Sequence, residues 1–108
     1  LNLNGKSVYT SFVFSLAHLF PKEFLNTLIK ARPKIVINFE PIFEIQNPSK
    51  KSELLIQDYI MRNKYNIDYF TVLKEARDKN LIEILELRKN IFGINPFFPL
   101  SIIIWRPI

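Results

Sequence analysis

The sequence predicts an α/β fold, in which parallel strands joined by helical crossovers end in a C-terminal antiparallel strand pair. Three observations predict it. Strand-like and helix-like segments alternate, one strand is an almost unbroken apolar run, and the last two strands are joined by a linker without helical periodicity. Alternation is typical of parallel sheets, because parallel neighbours need a crossover connection. With 108 residues, 48% of them apolar, the chain can form one core.

The first strand and the first helix follow from residue type. Residues 8–14 are rich in β-branched and aromatic side chains, which favour a strand. Pro21 then opens a helix, because proline is tolerated in a first helical turn, where its missing N–H would have no partner. The apolar face of this helix is expected to cover the sheet and holds Phe24, Leu25, Leu28 and Ile29.

The second strand is predicted to be central. Residues 35–39 form an apolar run, as expected of a strand buried on both faces of a parallel sheet. Proline cannot donate to the ladder, so Glu40-Pro41 ends the strand. The next helix is expected to start near Ser52 as its N-cap, with Glu53 in the first turn, because lysines at a helix N-terminus oppose its dipole.

The remaining elements complete the predicted sheet. After a break at residues 63–66, a second helical segment is expected over residues 68–78. Residues 81–87 and 100–105 are predicted strands, and the linker between them contains Gly93 and two prolines. Two strands joined without a helix are most simply antiparallel neighbours.

Composition excludes several kinds of site. The chain contains no cysteine, so a disulfide framework, a zinc-thiolate site and a thiol nucleophile are ruled out. One histidine and unsuitably spaced carboxylates predict no metal site. The net charge is +5, but lysines and arginines are scattered along the chain. We therefore interpret them as solvated surface, and a nucleic-acid partner is not expected.

The sequence also bears on location and completeness. No apolar run approaches the ~20 residues of a membrane-spanning helix, so no membrane partner is expected. We predict a cytoplasmic protein. The chain begins at Leu1 and not at methionine, which we interpret as loss of upstream residues. Residues 1–108 are accordingly expected to form a single, partial α/β domain.

Three segments carry a family resemblance. Residues 9–19 read as a strand and turn ending in His18-Leu19, residues 35–41 as a buried strand, and residues 81–105 as a closing strand pair. In this order they resemble the carboxyl-terminal half of class I S-adenosylmethionine-dependent methyltransferases. In that Rossmann-like fold, the last strand inserts antiparallel between the fifth and sixth. The resemblance implies a partial Rossmann-like sheet that supplies the substrate-side half of a methyltransferase.

The resemblance also implies what the chain lacks. The family's glycine-rich cofactor loop is absent, since the only glycines are Gly5 and Gly93 and neither lies between a predicted strand and helix. The acidic residue that ends the family's second strand is also absent. S-adenosyl-L-methionine would bind only with a missing N-terminal half, and the chain would be an enzyme only when completed by it. The methyl acceptor, a small molecule or a macromolecule, is not identified by the sequence.

Candidate site residues follow the carboxyl ends of the strands, where open α/β sheets bind ligands. The resemblance assigns Thr10, Ser11 and Phe12 to the cofactor, although a capping hydroxyl and a core ring explain the last two equally. Glu40 could bind a substrate amine or hydroxyl, or cap a loop.

Two further residues carry alternatives of the same kind. His18 is a candidate general base, and the alternative is a structural histidine. Glu40 is a second catalytic candidate. Tyr65 is a candidate for the substrate mouth, with turn formation as its alternative.

Two other functions are compatible with the sequence. In the first, the chain is a non-catalytic interaction module, whose open edge along residues 8–12 pairs with another chain or with the missing N-terminal half. In the second, it is a small basic nucleic-acid-binding domain, which would bind in a salt-dependent manner.

Overall fold

The computed structural model of the protein describes residues 2–11, 21–65, 67–93 and 99–108. Within these residues the chain is a small mixed α/β domain with one four-stranded mixed sheet and three helices. The strands are β1 (Ser7–Ser11), β2 (Ile35–Glu40), β3 (Ile82–Gly93) and β4 (Pro99–Pro107), and the helices are α1 (Pro21–Ala31), α2 (Lys51–Arg62) and α3 (Tyr69–Asp78).

The strands are arranged in the order β1-β2-β4-β3. The β1 and β2 strands are parallel neighbours, whereas β4 is antiparallel to both β2 and β3. Three predictions are therefore confirmed: the first two strands pair in parallel, the last two are antiparallel neighbours, and the last strand lies in the same sheet. That residues 1–108 are only part of a larger domain stays a prediction.

The main core lies between one face of the sheet and the helices α1 and α3. Its buried members are Leu25, Leu28, Val36, Ile42, Tyr69, Leu73, Ala76, Ile82, Ile103 and Trp105. A smaller cluster joins Ile56 and Ile60 of α2 to partly buried aromatic rings. The predicted inward face of α1 is thus confirmed, with Leu25 and Leu28 buried, because apolar side chains at helical spacing lie on one side of a helix.

The prediction that β2 is buried on both faces is wrong. Alternate residues Val36, Asn38 and Glu40 are buried, whereas the intervening residues are only half-buried. Both α1 and α3 pack on the face that carries Val36, and the described residues of the main core all lie on that side. A strand buried on both faces and a strand buried on one face can have similar apolar sequences, because the run does not alternate with polar residues on the less buried side.

The start of α2 also differs from prediction. The N-cap is Lys50, which makes no side-chain capping bond, and the helix begins at Lys51. The Glu53 carboxylate accepts the backbone N–H of Asn47 at 2.9 Å and pairs with Lys50 at 3.7 Å. A carboxylate in the first turn offsets the unfavourable lysines, so Ser52 is not needed as a cap.

The third strand is longer than the predicted residues 81–87. It continues to Gly93, with register shifts between Ile84 and Glu86 and again between Arg88 and Phe92. At the second shift, Asn90 adopts a φ of 51° and its backbone N–H donates to the Ser101 hydroxyl at 3.0 Å. Asparagine tolerates this left-handed conformation, which lets pairing resume beyond the irregularity.

Candidate functional site

Four isoleucines form an apolar surface on the sheet face away from α1 and α3. These residues, Ile35 and Ile37 of β2 with Ile102 and Ile104 of β4, are called the isoleucine patch and are all half-buried. Ile37 lies directly opposite Ile104 in the antiparallel ladder. Ile35 and Ile102 lie two residues from this pair on their own strands, and Phe39 lies opposite Ile102. Residues two apart in a strand and residues directly opposed in a ladder project from the same face of a sheet, so all four isoleucines lie on one face.

The core defines the orientation of this patch. Val36, Ile103 and Trp105 are fully buried beneath α1 and α3. Successive residues of a strand point to opposite faces, so their isoleucine neighbours point away from that core. As far as the described residues go, none of the four isoleucines belongs to either apolar cluster or packs against it.

Polar and aromatic side chains border the patch. On its β1 side, Tyr9 lies opposite Ile37 and is 66% exposed. On its β3 side, a cross-strand ion pair joins Glu83 to Arg106 at 2.8 Å. A second ion pair, Glu86–Arg88, lies opposite Ile104 and Ile102. An apolar centre with a charged border is typical of a surface that binds protein.

A polar network lies on the opposite, buried face. The Asn38 carbonyl oxygen accepts hydrogen bonds from the Tyr69 hydroxyl at 2.5 Å and the Trp105 indole N–H at 2.9 Å. The Asn38 amide donates to the Thr10 hydroxyl at 2.7 Å. Among the described residues, no buried side-chain nitrogen or oxygen lacks a hydrogen-bond partner. The network joins β1, β2, α3 and β4, which indicates a structural role.

Burial also controls the protonation of this network. It raises the pKa of the Tyr69 hydroxyl well above the ordinary value of 10.0. The contact with Trp105 opposes the shift, and the negative charge of Glu40 adds to it. Tyr69 therefore stays protonated and remains a hydrogen-bond donor near neutral pH.

The structure places the predicted site residues in different surroundings. Thr10 and Glu40 are buried on the same face of the sheet, and Ser11 is exposed at the end of β1. Tyr65 lies far along the chain from them and packs beside Ile56 and Ile60. Phe12 and His18 lie outside the described residues. The proposed catalytic, cofactor and substrate roles of all six residues stay predictions.

A second polar cluster, not predicted from the sequence, ties the loop after β2 to the hairpin. The side-chain amides of Gln46 and Asn90 form a reciprocal pair at 2.9 and 3.0 Å. Glu53, only 7% exposed, forms an ion pair with Lys89 of β3. Glutamine, asparagine and lysine are common on surfaces, so no sequence pattern marks this cluster.

A further contact between residues distant in the chain caps the N-terminus of α3. The Glu44 carboxylate accepts the backbone N–H groups of Phe70 at 3.3 Å and Thr71 at 2.5 Å. The N-cap residue of α3, Asp68, makes no side-chain capping bond. A carboxylate at a helix N-terminus satisfies unpaired N–H groups and favours the helix dipole. The cap comes from 26 residues upstream, so the helix sequence itself does not reveal it.

The Glu53 cluster predicts a pH dependence of stability. The hydrogen bond from Lys89, and then that from the Asn47 N–H, holds the pKa of Glu53 below its ordinary value of 4.5. A lowered folded-state pKa means that this contribution is complete above pH 4.5 and is lost as pH falls through the lowered value. The stability difference between wild type and Glu53→Gln should therefore shrink on acidification.

Chemical unfolding at a series of pH values from about 3 to about 7 measures this difference. Repeating the comparison in a Lys89→Gln background is the control, because the pH-dependent part should then diminish. A difference that stays constant with pH in the wild-type background would contradict the prediction.

Two further features of the described residues concern metal binding and cavities. They contain no cluster of three or more groups able to hold a metal ion. A groove between α1 and α3, bordered by Lys22, Glu75 and Lys79, has a volume of about 30 Å³. A volume of this size has room for only two or three water molecules, since one needs roughly 10–15 Å³ of such space. No helix within the described residues has the length and apolar character needed to cross a bilayer.

Comparison with known proteins found similarity to a chaperone. Over 79 residues the chain is 33% identical to "Periplasmic chaperone PpiD" of Buchnera aphidicola subsp. Acyrthosiphon pisum (strain APS). The alignment covers 71% of this chain and 12% of the chaperone, so the chain spans about an eighth of that relative. No protein-family model and no solved structure matches the chain.

The comparison corrects two predictions. The methyltransferase resemblance, and the function drawn from it, are wrong, because the relative found is a chaperone. The cytoplasmic location is wrong on the same finding, because that relative is periplasmic. The resemblance depended on the order of strands and one short turn, and one arrangement of strands can host many unrelated functions.

Proposed function

We propose that this chain is a polypeptide-binding module of the chaperone type, which holds apolar segments of unfolded chains on the isoleucine patch. The observation that carries the proposal is an apolar sheet face directed away from the main core, whose four isoleucines belong to neither apolar cluster of the described residues. Because unfolded polypeptides expose apolar side chains, a surface of this kind gains free energy by covering them.

The geometry of the patch suits this role. Its side chains are β-branched and stand on two paired central strands, so little conformational freedom is lost on binding. The ion pairs Glu83–Arg106 and Glu86–Arg88 border the apolar surface and remain solvated. Such a border limits the exposed apolar surface to the patch, which opposes unlimited self-association.

Similarity to the periplasmic chaperone supports the proposal. That relative is named as a chaperone, and 33% identity over 79 residues includes most of this chain. A periplasmic location is part of the proposal. Since the chain spans only 12% of the relative, the activity of the whole relative is not transferred to it.

We also infer that the sheet is Rossmann-like. The parallel pair β1–β2, with α1 between its strands in the chain, supports this inference. The antiparallel position of β4 beside β2 is compatible with it, because mixed sheets commonly combine parallel and antiparallel pairs.

Substitution within the patch tests the binding function. The double variant Ile37→Thr, Ile104→Thr keeps β-branched side chains in both strands but replaces apolar surface with hydroxyl groups. If burial of each isoleucine contributes about 1 kcal/mol to binding, the variant should bind an apolar peptide roughly 30-fold more weakly. Fluorescence anisotropy with a labelled, unstructured apolar peptide measures the Kd.

A matched control removes apolar surface elsewhere. Leu54 and Leu55 of α2 are 49% and 41% exposed, and Leu54→Gln, Leu55→Gln should leave peptide affinity unchanged. Circular dichroism shows whether both double variants keep the fold. Equal loss of affinity in the two variants, or no binding by the wild-type chain, would refute the patch as a binding surface.

A further inference from the structure

The two edge strands of the sheet differ in how they are protected. The β3 edge carries Glu83, Glu86, Arg88 and Lys89, and its pairing with β4 contains two register shifts. Charges and bulges are the features by which natural proteins prevent a free edge from pairing with another chain. This edge is therefore built to remain unpaired.

The β1 edge has none of these features. Its five residues, Ser-Val-Tyr-Thr-Ser, contain no charge, proline or glycine. They pair with β2 in an unbroken register from Ser7 to Ser11. Among the described strands, β2 is the only neighbour of β1. A regular, uncharged edge is a suitable template for another strand.

The order of residues in β1 indicates which strand fits. Around Tyr9 the strand is nearly palindromic, with Ser7 matching Ser11 and Val8 matching Thr10, both β-branched. In antiparallel pairing about a two-fold axis at Tyr9, each residue meets an identical or similarly shaped one. Such self-complementarity is what a two-fold symmetric interface requires.

We propose that β1 pairs antiparallel with β1 of a second copy of this chain, forming a symmetric dimer with a continuous eight-stranded sheet. The two Tyr9 rings then lie opposite each other, an aromatic cross-strand contact that stabilises such pairs. Opposed residues share a face, so the isoleucine patches of both copies lie on one side of the sheet. The proposal does not depend on the binding function.

The absence of cysteine makes a direct test possible, because any substituted cysteine is the only thiol in the chain. Across the two-fold axis, the Cα atoms at position 9 would lie about 4.5–5.5 Å apart, within reach of a disulfide. Under oxidised glutathione, Tyr9→Cys is expected to form a covalent dimer. The control Leu85→Cys, on the protected β3 edge, is expected to remain monomeric.

A second pair of variants tests the register. Position 7 faces position 11 of the second copy, and the two copies of position 7 would be roughly 13 Å or more apart, beyond disulfide reach. Ser7→Cys alone should therefore not crosslink, whereas a mixture of Ser7→Cys and Ser11→Cys should. Crosslinking of Ser7→Cys alone at the same rate would overturn the proposed register.

Light scattering after size-exclusion chromatography tests the unmodified chain. The expected species has twice the chain mass of 12.8 kDa. Tyr9→Lys places two like charges opposite each other and removes the ring contact, so it should weaken the dimer roughly tenfold. Since Tyr9 is 66% exposed, this variant should still fold. A wild-type chain that stays monomeric at its highest soluble concentration would overturn the proposal.

Discussion

Replacing Asn38 by alanine is expected to lower the free energy of unfolding by about 3–5 kcal/mol. The Asn38 carbonyl is a shared acceptor for Tyr69 and Trp105, and its amide donates to Thr10. Removing one partner of a buried hydrogen bond costs about 1–3 kcal/mol, and here two buried donors lose the same acceptor. Few single substitutions outside the apolar core should cost as much.

Chemical denaturation followed by the fluorescence of Trp105, the only tryptophan, measures this change. Asn26→Ala, at an exposed position of α1, is the matched control and should change stability by no more than about 0.5 kcal/mol. Thr10→Val should have an intermediate effect, because it breaks only one of the three hydrogen bonds. A loss in Asn38→Ala no larger than that of the control would show that the network contributes nothing to stability.

Trp105→Ala is expected to destabilise the protein by about 3–5 kcal/mol. The Trp105 side chain is fully buried in the main core and lies opposite Val36 on one side and Ile84 on the other. Truncation leaves a large cavity beneath α1 and α3 and removes the indole donor to Asn38. Since domains of this size are stable by only about 5–15 kcal/mol, a large fraction of the stability would be lost.

The comparison with Trp105→Phe separates these two contributions. Phenylalanine keeps most of the apolar volume but has no N–H group, so its cost should be clearly smaller than that of alanine. Circular dichroism follows unfolding, because both variants lack the fluorescent indole. Equal stability of the alanine variant and the wild type would contradict the placement of Trp105 in the core.

The chaperone similarity and the structure both direct attention to the isoleucine patch and away from the carboxyl ends of the strands. A methyltransferase fragment would use the carboxyl ends of its strands, where Thr10 and Glu40 are buried among core residues. The isoleucine patch lies on the opposite side of the strands from those residues. If β1 also pairs with a second copy, two patches would form one broad surface, and longer apolar segments could contact both.

Local patterns were sufficient to predict much of the fold. Proline at position 21, apolar residues at helical spacing and strand-like runs predicted α1, α3 and the strands, because each depends on neighbouring residues in the chain. The pairing of the strands followed from the kind of connection between them, helical or not. The same patterns misplaced the start of α2 and the end of β3. There, Glu53 and Asn90 are controlled by contacts with distant residues.

The candidate binding surface could not be predicted from the sequence. Residues 35–39 were predictable as a strand, but which face of the strand lies away from the main core follows from how α1 and α3 pack on the sheet. The Asn38 network likewise joins residues separated by 28, 31 and 67 positions. Such contacts arise only from strand register and helix placement, so residue order determined the elements and tertiary packing determined which surface they expose.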